Sequence, residues 1–379
     1  MSNCISNYIN KHGINRKKIA VSIIVSIALI SLIQLVKGIG LRNPGFIEKY
    51  FSNGTYPITS TIQTSIANIF PFSLYEIVIV ALIGFFIYRL VRLIRSFIKK
   101  DYVKELVNFV TLVILLVSIG LFLFQFLWSL NNYRYPLSVQ VGLDVKETSV
   151  NELAQTYKAL VLRANDARSA LSSAQYTSSR KLKTHEILNT AWEGYPPLAD
   201  KYPIFHSRRV RVKGLTFSRI QTISGYSGVY SFITGEPNIN IEAPLTSMPH
   251  TACHEIAHQM GISFEDDANY AGFLACINHH DPLFVYSGYL SAITYTGNTL
   301  YRQSPELYNQ ISSLLSENII KDQQENNAFW NQYKNDTVTK IADKINDNYL
   351  KSNNQPDGVQ SYGKFVDLLI ADYFEDNSI

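Results

Sequence analysis

Three apolar runs dominate the first third of the chain. Ile19 to Val36 carries no charge and lies between Lys18 and Lys37, about the minimum length for a helix that crosses a bilayer. Leu106 to Leu130 is a second charge-free run of 25 residues, rich in aromatics near its end at Phe122, Phe124, Phe126 and Trp128. Between them Ile77 to Tyr88 is apolar but short. Extended back through Phe70, Pro71 and Phe72 it spans if Glu76 sits at headgroup level; otherwise it is re-entrant. The pattern predicts spans at about 19–36, 70–90 and 106–130.

After Asn131 the periodicity is that of a globular domain. Leu153, Tyr157, Leu160, Val161 and Ala164 recur at helical spacing within Val150 to Leu171. Thr184 to Trp192 reads as a further helix, closed by Gly194 and Pro196-Pro197. From Arg208 to Ile241 the alternation turns toward strands, through Val210, Val212, Leu215 and Phe217 and then Tyr226 to Thr234. Beyond Pro249 the chain is mostly helical, and no internal repeat interrupts it. The outline is α+β and mainly helical: a membrane module at 1–130, then a domain at 131–379 with a small edge-strand layer.

Charge gives this outline an orientation. Charged residues make up only 17% of the 379, well below the roughly 25% of an average soluble protein, which fits a chain partly in lipid. Residues 1–130 hold 13 Lys and Arg against 4 Asp and Glu, whereas the remainder holds 21 against 26. The larger part is therefore net acidic, which excludes an electrostatic nucleic-acid partner. Lys11, Arg16, Lys17 and Lys18 precede the first span, and Arg89, Arg92, Arg95, Lys99, Lys100 and Lys104 surround the loop before the third. The loop of 37–72 has only Lys37, Arg42 and Lys49. The positive-inside bias puts the N-terminus and second loop in the cytoplasm, so the middle segment crosses and residues 131–379 lie outside the cytoplasmic membrane. No small-residue cleavage site follows the first run, which speaks against a removed signal peptide.

The chemistry centres on His254-Glu255-Ile256-Ala257-His258, an H-E-x-x-H motif. Four residues apart on a helix, the two imidazoles reach one ion, and Glu255 is placed to take a proton from the attacking water. Thr251, Ala252, Ile256, Ala257 and Met260 give that helix a small, apolar face, and Gly261 ends it. Glu265-Asp266-Asp267-Ala268-Asn269 opens the next helix. If the two helices run antiparallel, Glu265 comes level with His258 and Asn269 with His254. Glu265 then closes a His₂Glu set with the fourth position open, and Asn269 supports a ligand imidazole. Asp266 and Asp267 stay open as alternatives, because acidic residues also favour helix N-termini. The Tyr226 to Thr234 strand is a natural edge for an extended peptide.

The Glu-x-x-x-Asn spacing after H-E-x-x-H resembles the ligand helix of gluzincin metallopeptidases. More narrowly, the chain resembles an uncharacterised bacterial family, domain of unknown function 3810. The resemblance rests on Leu127-Trp-Ser-Leu-Asn-Asn-Tyr-Arg-Tyr-Pro-Leu137, Phe232-Ile-Thr-Gly-Glu-Pro-Asn238, Cys253-His-Glu-Ile-Ala-His-Gln259 and Glu265-Asp-Asp-Ala-Asn-Tyr270, with Tyr349-Leu-Lys-Ser-Asn-Asn-Gln355 and Gly358-Val-Gln-Ser-Tyr-Gly363. It implies a membrane-anchored, zincin-like domain with one Zn²⁺ per chain. The expected function is zinc-dependent hydrolysis of peptide bonds; a non-catalytic zinc receptor or scaffold and a cell-wall amidase are the rivals.

Such an enzyme needs a donor for the tetrahedral oxyanion, and Tyr362, His279, His280 and Tyr230 are the candidates. The partners expected are the lipid bilayer and a peptide or protein substrate. Cys253 and Cys276 fall about 9 Å apart along the axis in the same antiparallel register, which predicts separate buried thiols.

Overall fold

The computed structural model describes residues 15–99, 102–171, 180–355 and 363–375. Helix α1 (Arg16–Arg42) leads through Pro44–Ile47 and a π-helical stretch, Glu48–Thr55, into α2 (Tyr56–Ile69); α3 (Leu74–Ile98) and α4 (Tyr102–Leu127) follow. Helices α1, α3 and α4 are long and apolar enough to cross a membrane. The short middle run thus becomes a helix of 25 residues, of full spanning length. It begins at residue 74 because Ser73 caps it, its Oγ accepting from Glu76 N at 3.3 Å.

Residues 43–73 are not a plain connection. Tyr56, Ile47 and Phe51 share a small core with Leu130 and Tyr133, just beyond the end of α4. Arg134, 6% exposed, grips Glu48 with two nitrogens (2.6 and 3.2 Å) and donates to Gly261 O. That bidentate geometry ties the first loop to the site domain by a shielded ion pair.

The main core is helical. Val150–Ala170 (α5) starts in a Ser149/Glu152 capping box and buries Leu153, Tyr157, Leu160, Val161 and Ala164, the periodic positions of the sequence. It packs on Pro282–Gln303 (α8), which in turn meets Met248–Gln259 (α6), Glu265–Ile277 (α7) and Gly363–Phe374 (α11). Two further helices, Glu317–Tyr333 (α9) and Asp336–Ser352 (α10), lie beside the short helix Ser218–Ser224.

The strand layer is smaller than the alternation predicts. Strands β1 (Lys213–Gly214), β2 (Gly228–Ser231) and β3 (Glu236–Ile239) form a sheet ordered β1-β3-β2, parallel at β1–β3 and antiparallel at β2–β3. The expected strand through Phe217 stops early because Glu76 of α3 accepts from Thr216 N (2.9 Å) and Phe217 N (2.7 Å). With those amides taken, no ladder continues, and the chain turns into Ser218–Ser224.

Two buried charges fasten this sheet to helices α2 and α3. Lys213 donates to Ala67 O (2.8 Å) and Phe70 O (2.6 Å) at the carbonyl end of α2. Glu236 accepts from Leu74 N (3.1 Å) and Tyr75 N (2.9 Å), the orphan amides at the start of α3. A cation at one helix C-terminus and an anion at the next N-terminus both complement the helix dipoles. Burial still pulls the Lys213 ammonium down to about 8, although Glu236 nearby favours its charge.

Candidate metal centre

Pro249 in the first turn of α6 fixes the helix entry, and Ala252, Cys253, Ile256 and Ala257 bury its inner side. Gly261 (φ 84°) follows the helix end and turns the chain toward α7. The two helices approach closely at Gly272, where a Cβ would lie 3.0 Å from His254 N, a tight contact that the glycine avoids.

His254 and His258 stand with ring centroids 4.6 Å apart, nearly perpendicular. Glu265 Oε2 lies 3.4 Å from His254 Nε2, and its Oε1 lies 3.6 Å from His258 Nε2. One ligand atom from each of the three residues falls within 4.8 Å of the others. Of the three acidic residues opening α7, then, Glu265 meets the histidines. Asp267 instead accepts from Leu137 N at 2.9 Å. Asp266 is buried and, like Asp267, does not line the cleft at the cluster.

The electrostatics follow from crowding these groups together. Burial opposes charge on His258, yet Glu265 outweighs it and pushes the imidazole up to about 9. Burial likewise opposes charge on Glu265, but His258 and then His254 hold its carboxyl well below the ordinary range. Burial drives Glu255 up to about 8, with His258 pulling the other way and Glu265 adding to the rise. His258 donates Nδ1–H to Ile262 O (2.8 Å), which leaves Nε2 for the centre. Asn269 reaches His254 and favours its charged form, although burial lowers that imidazole.

Glu255 is placed by a backbone as well as by its own helix. A Cβ on Gly228 of β2 would run into the Glu255 carboxylate, so the strand passes directly against it. Glu255 Oε2 is buried without a hydrogen-bond partner. Two imidazole nitrogens, a carboxylate, a fixed tautomer and an orphaned carboxylate oxygen beside them suit a divalent ion such as Zn²⁺.

The cluster lies in a cleft of about 920 Å³. Gly228 and Tyr230 from β2, Tyr295 from α8, Tyr349 from α10, and Tyr75 and Trp128 at the ends of α3 and α4 all face it. Of the oxyanion candidates among the described residues, only Tyr230 is there. Its hydroxyl meets that of Tyr56 (3.3 Å), which also contacts His258 O and Gln259 O. His279 is elsewhere, with Nε2 on Thr190 O (3.0 Å), Nδ1 accepting from Asp281 N (3.0 Å) and its ring stacked on Phe284. His280 pairs with Glu193 at 3.5 Å. Those three form a second potential ligand group, but both nitrogens of His279 are already engaged. Tyr362 lies outside the described residues.

Three cleft residues escaped the sequence reading. His250 is one turn before His254, so a His-x₃-His-x₃-His spacing marked it; its Nε2 reaches Asn269 O at 3.2 Å. Tyr295, in contact with Asn269, and Gly228 gave no comparable signal. The thiols also differ from expectation. Cys253 and Cys276 are free and buried, but they are neighbours within hydrogen-bond reach rather than offset along the axis. Both point into the seam where Tyr195 donates to Cys253 O.

A family profile described as "Protein of unknown function (DUF3810)" matches residues 51–370, most of the chain. No curated protein and no solved structure matches. The chain belongs to that family of unknown function.

Proposed function

We propose that this member of the DUF3810 family is a membrane-anchored zinc metallopeptidase that hydrolyses peptide bonds on the outer side of the cytoplasmic membrane. The observation that carries the reading is His254, His258 and Glu265 converging within 4.8 Å in a cleft, with the buried Glu255 next to them. A structural zinc is usually enclosed by four protein ligands, whereas this set has three and faces open space. That contrast favours catalysis over a receptor or scaffold.

When bound, the ion supplies Lewis acidity toward the scissile carbonyl and lowers the pKa of water. Glu255 Oε2 takes the proton of the attacking water, and its burial makes it a strong enough base to hold it. The same carboxyl then delivers that proton to the leaving amine. The edge of β2 beside Glu255 supplies free main-chain groups that align an extended peptide across the cleft. The zincin-like character of the domain rests on this helix pair and edge strand together. The orientation follows from Arg16, Lys17 and Lys18 at one end of α1 and Arg89, Arg92, Arg95 and Lys99 at the matching end of α3.

The test uses full-length protein in detergent. Elemental mass spectrometry finds about one zinc per chain, lost in His254→Ala and His258→Ala and weakened in Glu265→Ala. Glu255→Gln keeps the zinc and loses hydrolysis of a peptide library. A folded wild-type protein that takes up no zinc overturns the proposal.

A further inference from the structure

Helix α2 is amphipathic in the reverse sense to a water-facing helix. Its inner face, which packs on the site domain, carries Tyr56, Ser60, Thr64 and Ala67. Its outer face is a stripe of isoleucines: Ile58 (63% exposed), Ile62 (56%), Ile66 (52%) and Ile69 (73%). These recur at intervals of four, four and three, one continuous line along the helix. A stripe of this kind is costly in water and marks a contact surface.

The position of α2 says what covers it. At one end Tyr56 packs with Leu130 and Tyr133 past the end of α4, and at the other Phe72 and Ser73 open into α3. The helix therefore bridges the ends of membrane spans over about 21 Å, at the level where they leave the apolar layer. The adjoining ends of α3 and α4 are themselves apolar and exposed, at Ile77, Val80 and Leu123.

The inner face bears directly on the metal helix. Gln259 Nε2 donates to Thr64 Oγ1 at 2.8 Å, and the Tyr56 hydroxyl reaches Gln259 O at 3.1 Å. One helix layer, about 10 Å, thus separates α6 from the isoleucine stripe. The cleft itself runs up to Tyr75 and Trp128, at the ends of α3 and α4.

We infer that α2 is an in-plane interfacial helix whose Ile58-Ile62-Ile66-Ile69 stripe rests in the bilayer surface, so that the cleft acts on peptide segments attached to the same membrane. The substrate class rests on the peptidase reading above; the placement of α2 does not.

The experiment uses full-length protein carrying Cys4→Ser, with a single cysteine introduced by Ile62→Cys or, separately, Ile66→Cys. Each is labelled with an environment-sensitive fluorophore and reconstituted into phosphatidylcholine/phosphatidylglycerol vesicles. Lipids spin-labelled near the headgroup quench both labels, and aqueous iodide does not. A Glu306→Cys label, on the exposed helix Pro305–Ser312 that packs on α5 and α8, shows the opposite pattern. Quenching of the stripe labels by iodide alone overturns the placement. Shielding from both quenchers also overturns it and makes the stripe a contact with protein. The same vesicles then present one peptide either free or on a lipid anchor. Faster cleavage of the anchored form is expected, and equal rates overturn the substrate class. Cleavage of neither, with the labels in lipid, overturns the peptidase reading while the helix placement stands.

Discussion

Gly228→Ala tests whether the sheet positions Glu255, the proposed general base. A Cβ there would approach Glu255 Cγ to 2.8 Å and Cδ to 2.9 Å, with Oε1 closer still, against an ordinary contact of 3.4 Å or more. The whole carboxylate group, rather than its tip, must therefore shift by about half an ångström to one ångström. Glu255 is only 4% exposed, so little free space receives it. Overpacking of this sort costs about 1–3 kcal/mol of stability. Displacing a catalytic group by about 1 Å costs on the order of 100-fold in rate. The three atoms nearest that Cβ all belong to Glu255 and none to the proposed ligands, so zinc content is expected to stay near one per chain. The assay pairs zinc content with kcat on a cleaved peptide, using Glu255→Gln as the inactive reference. A variant that holds zinc and works at the wild-type rate refutes the assignment of Gly228 as the positioning contact for Glu255.

Other perturbations separate structure from chemistry. Arg134→Ala leaves the shielded Glu48 carboxylate without its guanidinium and lowers stability by about 3 kcal/mol, read as a fall in the unfolding midpoint of the detergent-solubilised chain. Lys213→Met strands the Ala67 and Phe70 carbonyls and costs about 1–3 kcal/mol by the same measurement. In metal-free protein the His258–Glu265 pair gives a two-sided pH profile. Glu265, held low, contributes stability above its ordinary range that is lost as acid protonates it. His258, raised to about 9, contributes below its ordinary value near 6.5, and that contribution is lost as pH climbs toward 9. His258→Ala should remove the alkaline loss in thermal melts across pH; an unchanged alkaline limb contradicts the pairing.

The helical part of the fold was legible because its signals are periodic. The α5 positions are buried as the spacing requires, and the charge-free runs match α1 and α4 in place, although α1 (Arg16–Arg42) runs past both ends of its run and α4 (Tyr102–Leu127) starts before its run and stops before Leu130. His254, His258 and Glu265 were readable for the same reason: spacing along two successive helices brings them together. What could not be read depends on partners distant in sequence. The strand through Phe217 ends because a carboxylate some 140 residues away captures its amides. Cys253 and Cys276 meet although an ideal antiparallel register sets them apart. Helix α2 lies within the 37–72 loop of the sequence pattern because its 14 residues with a polar inner face fall short of a span.

Lys213, Glu236 and Arg134 together bear on how the protein can be released or regulated. Each belongs to the large domain, and each finds its partner in residues 48–75. No flexible stalk separates anchor from site: Trp128, one residue beyond α4, already lies 5.7 Å from the His258 ring. A protease cutting near residue 131 would therefore not release a working fragment, since the severed part would carry buried charges with nothing to meet them. A single cut there would inactivate the site rather than set it free in working form.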